Sequence, residues 1–193
     1  MKKEIRKSIN RSIELIQQSI SLEGEIEKAT KLMIKSLKSG HKIIIFGNGG
    51  SAADSQHIAA ELIGRFKINR KSIPAIALTT DTSILTSISN DFSFDQIFSR
   101  QCESLVQKGD VALGISTSGN SLNVKKGLIV SKKNGASTIG LLGNKGGIIK
   151  KISDINIIVN SSSTSKIQET HRIIYHVICE LIEKELAKKG IPK

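Results

Sequence analysis

Five short runs of Ile, Val, Leu and Ala limit what this chain can fold into: KIIIFG from Lys42, IPAIAL from Ile73, DVALGIS from Asp110, STIGLL from Ser137 and DINIIV from Asp154. Each is apolar almost without a break instead of alternating with polar residues. A strand that reads this way is covered on both faces, because a half-exposed strand carries polar side chains at every second position. The segments between the runs are longer and mostly read as helical, so strand and helix alternate. That order predicts βαβ units and an α/β fold: a three-layer αβα sandwich built on a five-stranded parallel sheet.

Helices come before the first strand. Ile5, Ile9, Ile13, Ile16 and Ile20 recur at steps of three and four, which predicts one amphipathic helix. Ile26, Ala29, Leu32, Met33 and Leu37 continue the pattern in a second helix that Gly40 can stop. Apolar stripes of this kind need a partner, either the core or another subunit. No repeat or low-complexity tract marks a boundary. The reading is therefore one domain over residues 1–193, with N-terminal helices at 1–40 and an α/β core with its C-terminal helix at 41–193.

Composition narrows the partners. The net charge of +12 invites a polyanion, but the lysines are scattered and no block of five or six like charges occurs. Aromatic residues are only 3%, which argues against nucleic acid, since single strands are held by stacking on aromatic rings. A basic surface also attracts small phosphorylated metabolites. Cys102 and Cys179 form no CxxC pair and read as reduced thiols of a cytosolic protein. The N-terminal MKKEIRKSINRSIELI lacks the apolar stretch of a signal peptide, and no segment approaches the ~20 apolar residues of a membrane span. A cytoplasmic location is expected, with no membrane partner.

Ligands of open α/β sheets bind at the carboxyl ends of the strands. Two such ends carry unusual turns. Gly47-Asn48-Gly49-Gly50-Ser51 follows KIIIF and leads into a helix, whose first N–H groups are free for an anion. Ser116-Thr117-Ser118-Gly119-Asn120-Ser121 follows DVALGI and again precedes a helix, offering several hydroxyls to a phosphate. Neither turn matches GxGxxG or GxxxxGK[ST], so dinucleotide and Walker-type readings lose support. The plainer alternative for both is a well-capped helix start.

Proton-moving groups lie on two helices. His57 and Glu61 stand four residues apart, about 40° around the helix and one turn along it. Such a pair can hold a metal or share proton transfer, or be an ordinary surface pair. The last helix, from about Thr164 to Lys188, is expected to bury Ile167, Ile174, Val177, Ile178 and Leu181, leaving Gln168, His171, Arg172, Tyr175 and His176 on a polar arc. Gln168 and His176 are within about 80° of each other but roughly 12 Å apart along the axis.

The strings GNGGSAADSQHIAAELIGRF, PAIAL, NDFSFDQIFSRQ, GDVALGISTSGNS and KIQETHRIIYHVICELIEKEL together resemble phosphoheptose isomerases of the SIS (sugar isomerase) superfamily. The resemblance implies conversion of sedoheptulose 7-phosphate to D-glycero-D-manno-heptose 7-phosphate by a cytoplasmic homotetramer with sites near subunit contacts and one zinc per subunit. It implies substrate contacts at Asn48, Gly49, Gly50, Ser51, Glu61, Arg65, Asn90, Asp91 and Gln168, and phosphate contacts at Ser116, Thr117, Ser118 and Ser121. It implies zinc ligands at His57, Glu61, Gln168 and His176, and Glu61 and His176 as the catalytic pair. Ser165 departs from relatives that carry aspartate there, which puts in doubt any mechanism needing a third carboxylate. A related tetrameric adaptor that binds the bacterial replication initiator shares much of the pattern, including the LTTDTSILTSISND stretch ending at Asp91, but lacks the Glu61–His176 pair. A sugar-phosphate sensor is the other alternative, although no helix-turn-helix segment is apparent.

Overall fold

A computed structural model describes residues 1–187. The end of the last helix near Lys188 lies outside the described residues. The five apolar runs form β1 (Ile43–Gly47), β2 (Ala75–Ala77), β3 (Val111–Ser116), β4 (Ser137–Gly143) and β5 (Ile155–Val159). All pair in parallel, in the order β2-β1-β3-β4-β5. β2 is short and on the edge, just after Pro74, as suits a residue with no N–H to give a ladder.

The unbroken apolar strands have the expected cause. Ile43, Ile45, Val111, Leu113, Ile115, Ile139, Leu141, Ile157 and Val159 belong to one buried cluster, while Ile44, Phe46, Ala112 and Leu142 belong to a second. The helices are α1 (Lys2–Gln18), α2 (Glu23–Lys38), α3 (Gly50–Ile63), α4 (Thr82–Asp91), α5 (Ile97–Leu105), α6 (Leu122–Lys133) and α7 (Thr164–Ala187). The first cluster draws on α2, α3 and α7; the second draws on α5 and α6. From β1 the chain goes to β2 on one side, then crosses back past β1 to β3 on the other, so the order of strands reverses between β1 and β3. Loops following those two strands therefore diverge around a crevice.

One N-terminal helix leaves its apolar stripe uncovered, and the last helix differs from expectation. α1 buries none of its residues, and Ile5, Ile9, Ile13 and Ile20 are exposed. On α7 the assignment of faces changes. Val177 and Leu181 are 42% and 41% exposed, whereas His171 and Tyr175 are buried. The buried stripe runs through Ile167, Thr170, His171, Ile174, Tyr175, Ile178, Cys179, Ile182, Glu183 and Leu186. A helix wedged against both a sheet and a neighbouring helix buries a wider arc than apolarity alone marks, and polar residues inside that arc find partners.

His171 shows the cost. Its Nε2 lies 3.0 Å from the carbonyl of Leu142, and Nδ1 is buried with no protein partner. Burial lowers its pKa to about 4, against the Leu142 carbonyl and Asp54, which pull it upward. The folded state thus takes up this proton less readily than the unfolded chain does. Its contribution to stability is complete above the unfolded value of about 6.5 and is lost as pH falls toward 4. Urea unfolding across this window should show a loss on the order of 3 kcal/mol, and His171→Gln should flatten the slope.

Candidate active site

The first wall of the crevice is the turn from β1 into α3. Ser51 and Ala52 donate their N–H groups to the carbonyls of Asn48 and Gly49, at 2.9 and 3.0 Å, which starts the helix immediately after the strand. Ser51 is buried. A Cβ at Gly50 would meet the Gln168 amide, which would have to swing aside. Gln168 of α7 therefore rests on the start of α3.

The second wall is the turn from β3 into α6. The Ser116 hydroxyl lies 2.9 Å from that of Ser121 and 3.4 Å from that of Ser118, and it accepts the Gly119 N–H at 3.1 Å. Ser118 Oγ accepts the Asn120 N–H at 3.1 Å. Gly119 has φ +69°, and a Cβ there would strike the backbone of Gly146. A paired amide bridge joins the two walls. Asn48 Nδ2 donates to Asn123 Oδ1 at 2.8 Å, and Asn123 Nδ2 returns the bond to Asn48 Oδ1 at 2.9 Å. Sequence reasoning missed Asn123. Its signal was a buried amide one residue inside α6, facing the one Asn in the first turn.

Away from these turns, α3 and α7 lie side by side. His57 Nε2 stands 3.0 Å from Glu61 Oε1 and 3.4 Å from His176 Nε2. Ligand atoms of all three residues fall within 4.8 Å of one another. His176 is half-buried between the rings of Tyr175 and Phe66, at 4.8 and 5.7 Å between centroids. Burial, then the neighbouring His57, lowers its pKa, which keeps it neutral and able to accept a proton at pH 7. Three lone-pair-bearing atoms that converge this closely need a shared proton or cation between them. Two imidazoles and one carboxylate are a donor set that suits zinc with a position left open.

Glu61 and His176 are thus brought together from helices far apart in sequence, with His57. Gln168 is at the other end of the α3–α7 contact, against Gly50 and roughly 12 Å from His176 along the axis. Arg65 is exposed just beyond α3. Asn90 and Asp91 are exposed at the end of α4, where Asn90 Nδ2 donates to Asp91 Oδ1 at 2.8 Å.

A family model described as "SIS domain" matches residues 6–143. A phosphoheptose isomerase of Geobacter sulfurreducens is 54% identical over 86% of this chain and 87% of its own length. One from Sulfurimonas denitrificans is 48% identical over 99% of this chain and 100% of its own. The solved phosphoheptose isomerase of Neisseria gonorrhoeae superposes with a TM-score of 0.90 at 38% identity, covering 95% of this chain and 98% of that one.

The chain belongs to the phosphoheptose isomerases of the SIS domain family.

This SIS domain also carries residues that no motif reading singled out. Asp54, one turn before His57, is buried and accepts from Tyr175 Oη and Arg172 Nη2, both at 3.2 Å. Burial, then the Asp54 charge, pushes the Tyr175 phenol up to about 12, so it stays protonated as a donor. The signal was present: Asp54, His57 and Glu61 share one face of α3 at helical spacing. Glu183, near the end of α7, accepts the N–H groups of Phe66, Lys67 and Ile68 at 2.9, 2.6 and 2.9 Å. That anchor holds the loop carrying Phe66 against His176.

Proposed function

We propose that this chain interconverts sedoheptulose 7-phosphate and D-glycero-D-manno-heptose 7-phosphate, the first step toward nucleotide-activated heptose. The meeting of Glu61 and His176 beside His57 is the observation that supports it most, because an enediol route needs two proton-moving groups at one place. One group takes the proton from C1 of the ketose while O2 gains one. The enediol so formed returns to the aldose when C2 receives a proton and O1 gives one up. Neutral His176 and the Glu61 carboxylate divide these transfers. Ser116, Thr117, Ser118 and Ser121 grip the phosphate, and Asn48, Gly49, Gly50, Ser51 and Gln168 line the sugar, with Arg65, Asn90 and Asp91 at its margins. Fixing the phosphate end places the reacting carbons.

His57, Glu61 and His176 would hold the zinc, with Gln168 as the fourth ligand that the family resemblance implies. When bound, the ion supplies Lewis-acid polarisation of the carbonyl oxygen. Protein purified without added zinc should contain about one equivalent per subunit. No bound metal, together with full activity after chelation, would end this part of the reading.

The enzyme works in the cytoplasm as a homotetramer in this reading. Exposed Ile5, Ile9 and Ile13 on α1, and Ile173, Val177 and Leu181 on α7, favour association. Among the described residues no helix is long and apolar enough to cross a membrane. A panel of five-, six- and seven-carbon ketose phosphates tests the substrate. The expected result is turnover confined largely to the seven-carbon compound. No turnover of any, with co-purification of the replication initiator, would favour the adaptor instead.

A further inference from the structure

The hydroxyl turn has a chemical shortfall. A phosphate monoester carries close to two negative charges at neutral pH, since its second pKa is about 6. From Ser116 to Asn123 the chain contains no basic residue, so the turn offers neutral donors alone. A cation from another segment would balance the remaining charge, and the sheet brings one there.

The turn after β4 is pressed against the hydroxyl turn. Asn144 Nδ2 donates to the Thr117 carbonyl at 3.0 Å, and the Asn144 N–H donates to the Ser161 carbonyl at 3.1 Å. On the other side the Gly146 backbone touches Gly119, and the Ile148 N–H donates to Asn120 Oδ1 at 3.1 Å. The Gly146 N–H closes the turn onto the Gly143 carbonyl at 3.0 Å. Asn144 takes φ +53°, the sole positive φ at a non-glycine among the described residues. Asn is the residue that, after Gly, takes left-handed backbone most readily, which suits it to this tight turn. The turn is thus braced on both flanks, and Lys145 stands at its apex.

Lys145 is exposed, and no ion pair or hydrogen bond engages its ammonium among the described residues. Of the other nearby lysines, Lys125 is half-buried in the first turn of α6, and two more are engaged elsewhere. Lys126 pairs with Asp95 at 3.6 Å, and the Lys150 stem packs over Gly146. Both neighbours of Lys145 in sequence touch the hydroxyl turn, so its four-carbon stem starts within reach of an anion held there.

We infer that Lys145 is a further substrate-binding residue, supplying the positive charge that the Ser116–Ser121 turn lacks for a phosphate dianion. This rests on the assignment of that turn as the phosphate site. The interaction is a charge-assisted contact at the rim of the crevice, strong at low salt and weakened as counterions screen it. The neutral hydroxyl contacts carry no such dependence.

Calorimetric titration of the full chain with inorganic phosphate tests this without relying on turnover. Lys145→Gln is expected to weaken binding about tenfold, the lower end for a hydrogen bond to a charged group, and to flatten the rise of Kd with added NaCl. Lys145→Arg should bind within about threefold of the parent, since charge and donors remain. Lys133→Gln removes the same charge at the far end of α6 and should leave Kd unchanged. Equal weakening by Lys133→Gln would reduce the effect to net charge and overturn the inference. Parent-like binding by Lys145→Gln with weakened binding by Ser118→Ala would overturn it while the phosphate turn stands. Parent-like binding by both would remove the phosphate turn as well.

Discussion

Glu61→Gln is expected to lower kcat by about 10²- to 10⁴-fold while substrate affinity changes far less. The amide keeps the size and planarity of the side chain, so its place beside His57 and His176 is preserved. What disappears is the ability to accept a proton and carry it to the neighbouring carbon or oxygen. Because Glu61 is also a candidate metal ligand, the assay needs metal content measured on the same sample. Lost turnover at retained metal and retained affinity places Glu61 in proton transfer. Unchanged kcat would take it out of the chemistry. His176, neutral at pH 7 because burial and His57 lower its pKa, should tie a fall in activity to acidic pH, as protonation removes its basic nitrogen.

Glu183→Ala is expected to destabilise the fold by about 3–5 kcal/mol, the usual cost of removing one partner from a buried ion pair. For a chain of this size that corresponds to a drop in Tm on the order of 10 °C. The Glu183 side chain is 1% exposed and that of Arg70 5%, with Arg70 Nε at 3.1 Å from Glu183 Oε1. Burial alone would raise the Glu183 carboxyl. The N–H groups of Lys67, Phe66 and Ile68, then Arg70, overcome burial and hold it below its ordinary value. Without the carboxylate, three N–H donors lose their acceptor and a buried guanidinium loses its counter-charge. Arg70 also donates to the carbonyls of Glu61 and Leu62, both at 2.8 Å, so the damage reaches the end of α3. Activity should fall along with thermal stability, because Phe66 would no longer be held against His176. A parent-like melting curve would show that the anchor is dispensable.

Much of this was legible because it is local. The five strands followed from unbroken β-branched runs, and the sheet covered on both faces is the reason those runs lack polar gaps. His57 and Glu61 share a face of α3 because four residues make about one helical turn. The turns after β1 and β3 announced themselves through Gly, Asn and Ser, residues whose conformational freedom and short polar side chains suit a strand-to-helix corner. The arc of α7 was less legible. Apolarity marked Val177 and Leu181 for burial, yet packing against α3 and the sheet took His171 and Tyr175 instead.

The amino-acid sequence by itself determined the elements, the α/β class and the chemistry available at each turn, because these depend on backbone geometry repeating over a few residues. Only the tertiary structure decided which distant groups meet. The partnering of Asn48 with Asn123, of Glu61 with His176, of Glu183 with the loop after α3 and of the Lys145 turn with Gly119 all follow from strand order and from the face each helix takes. Those are set by the summed burial of many side chains, and no local spacing encodes them.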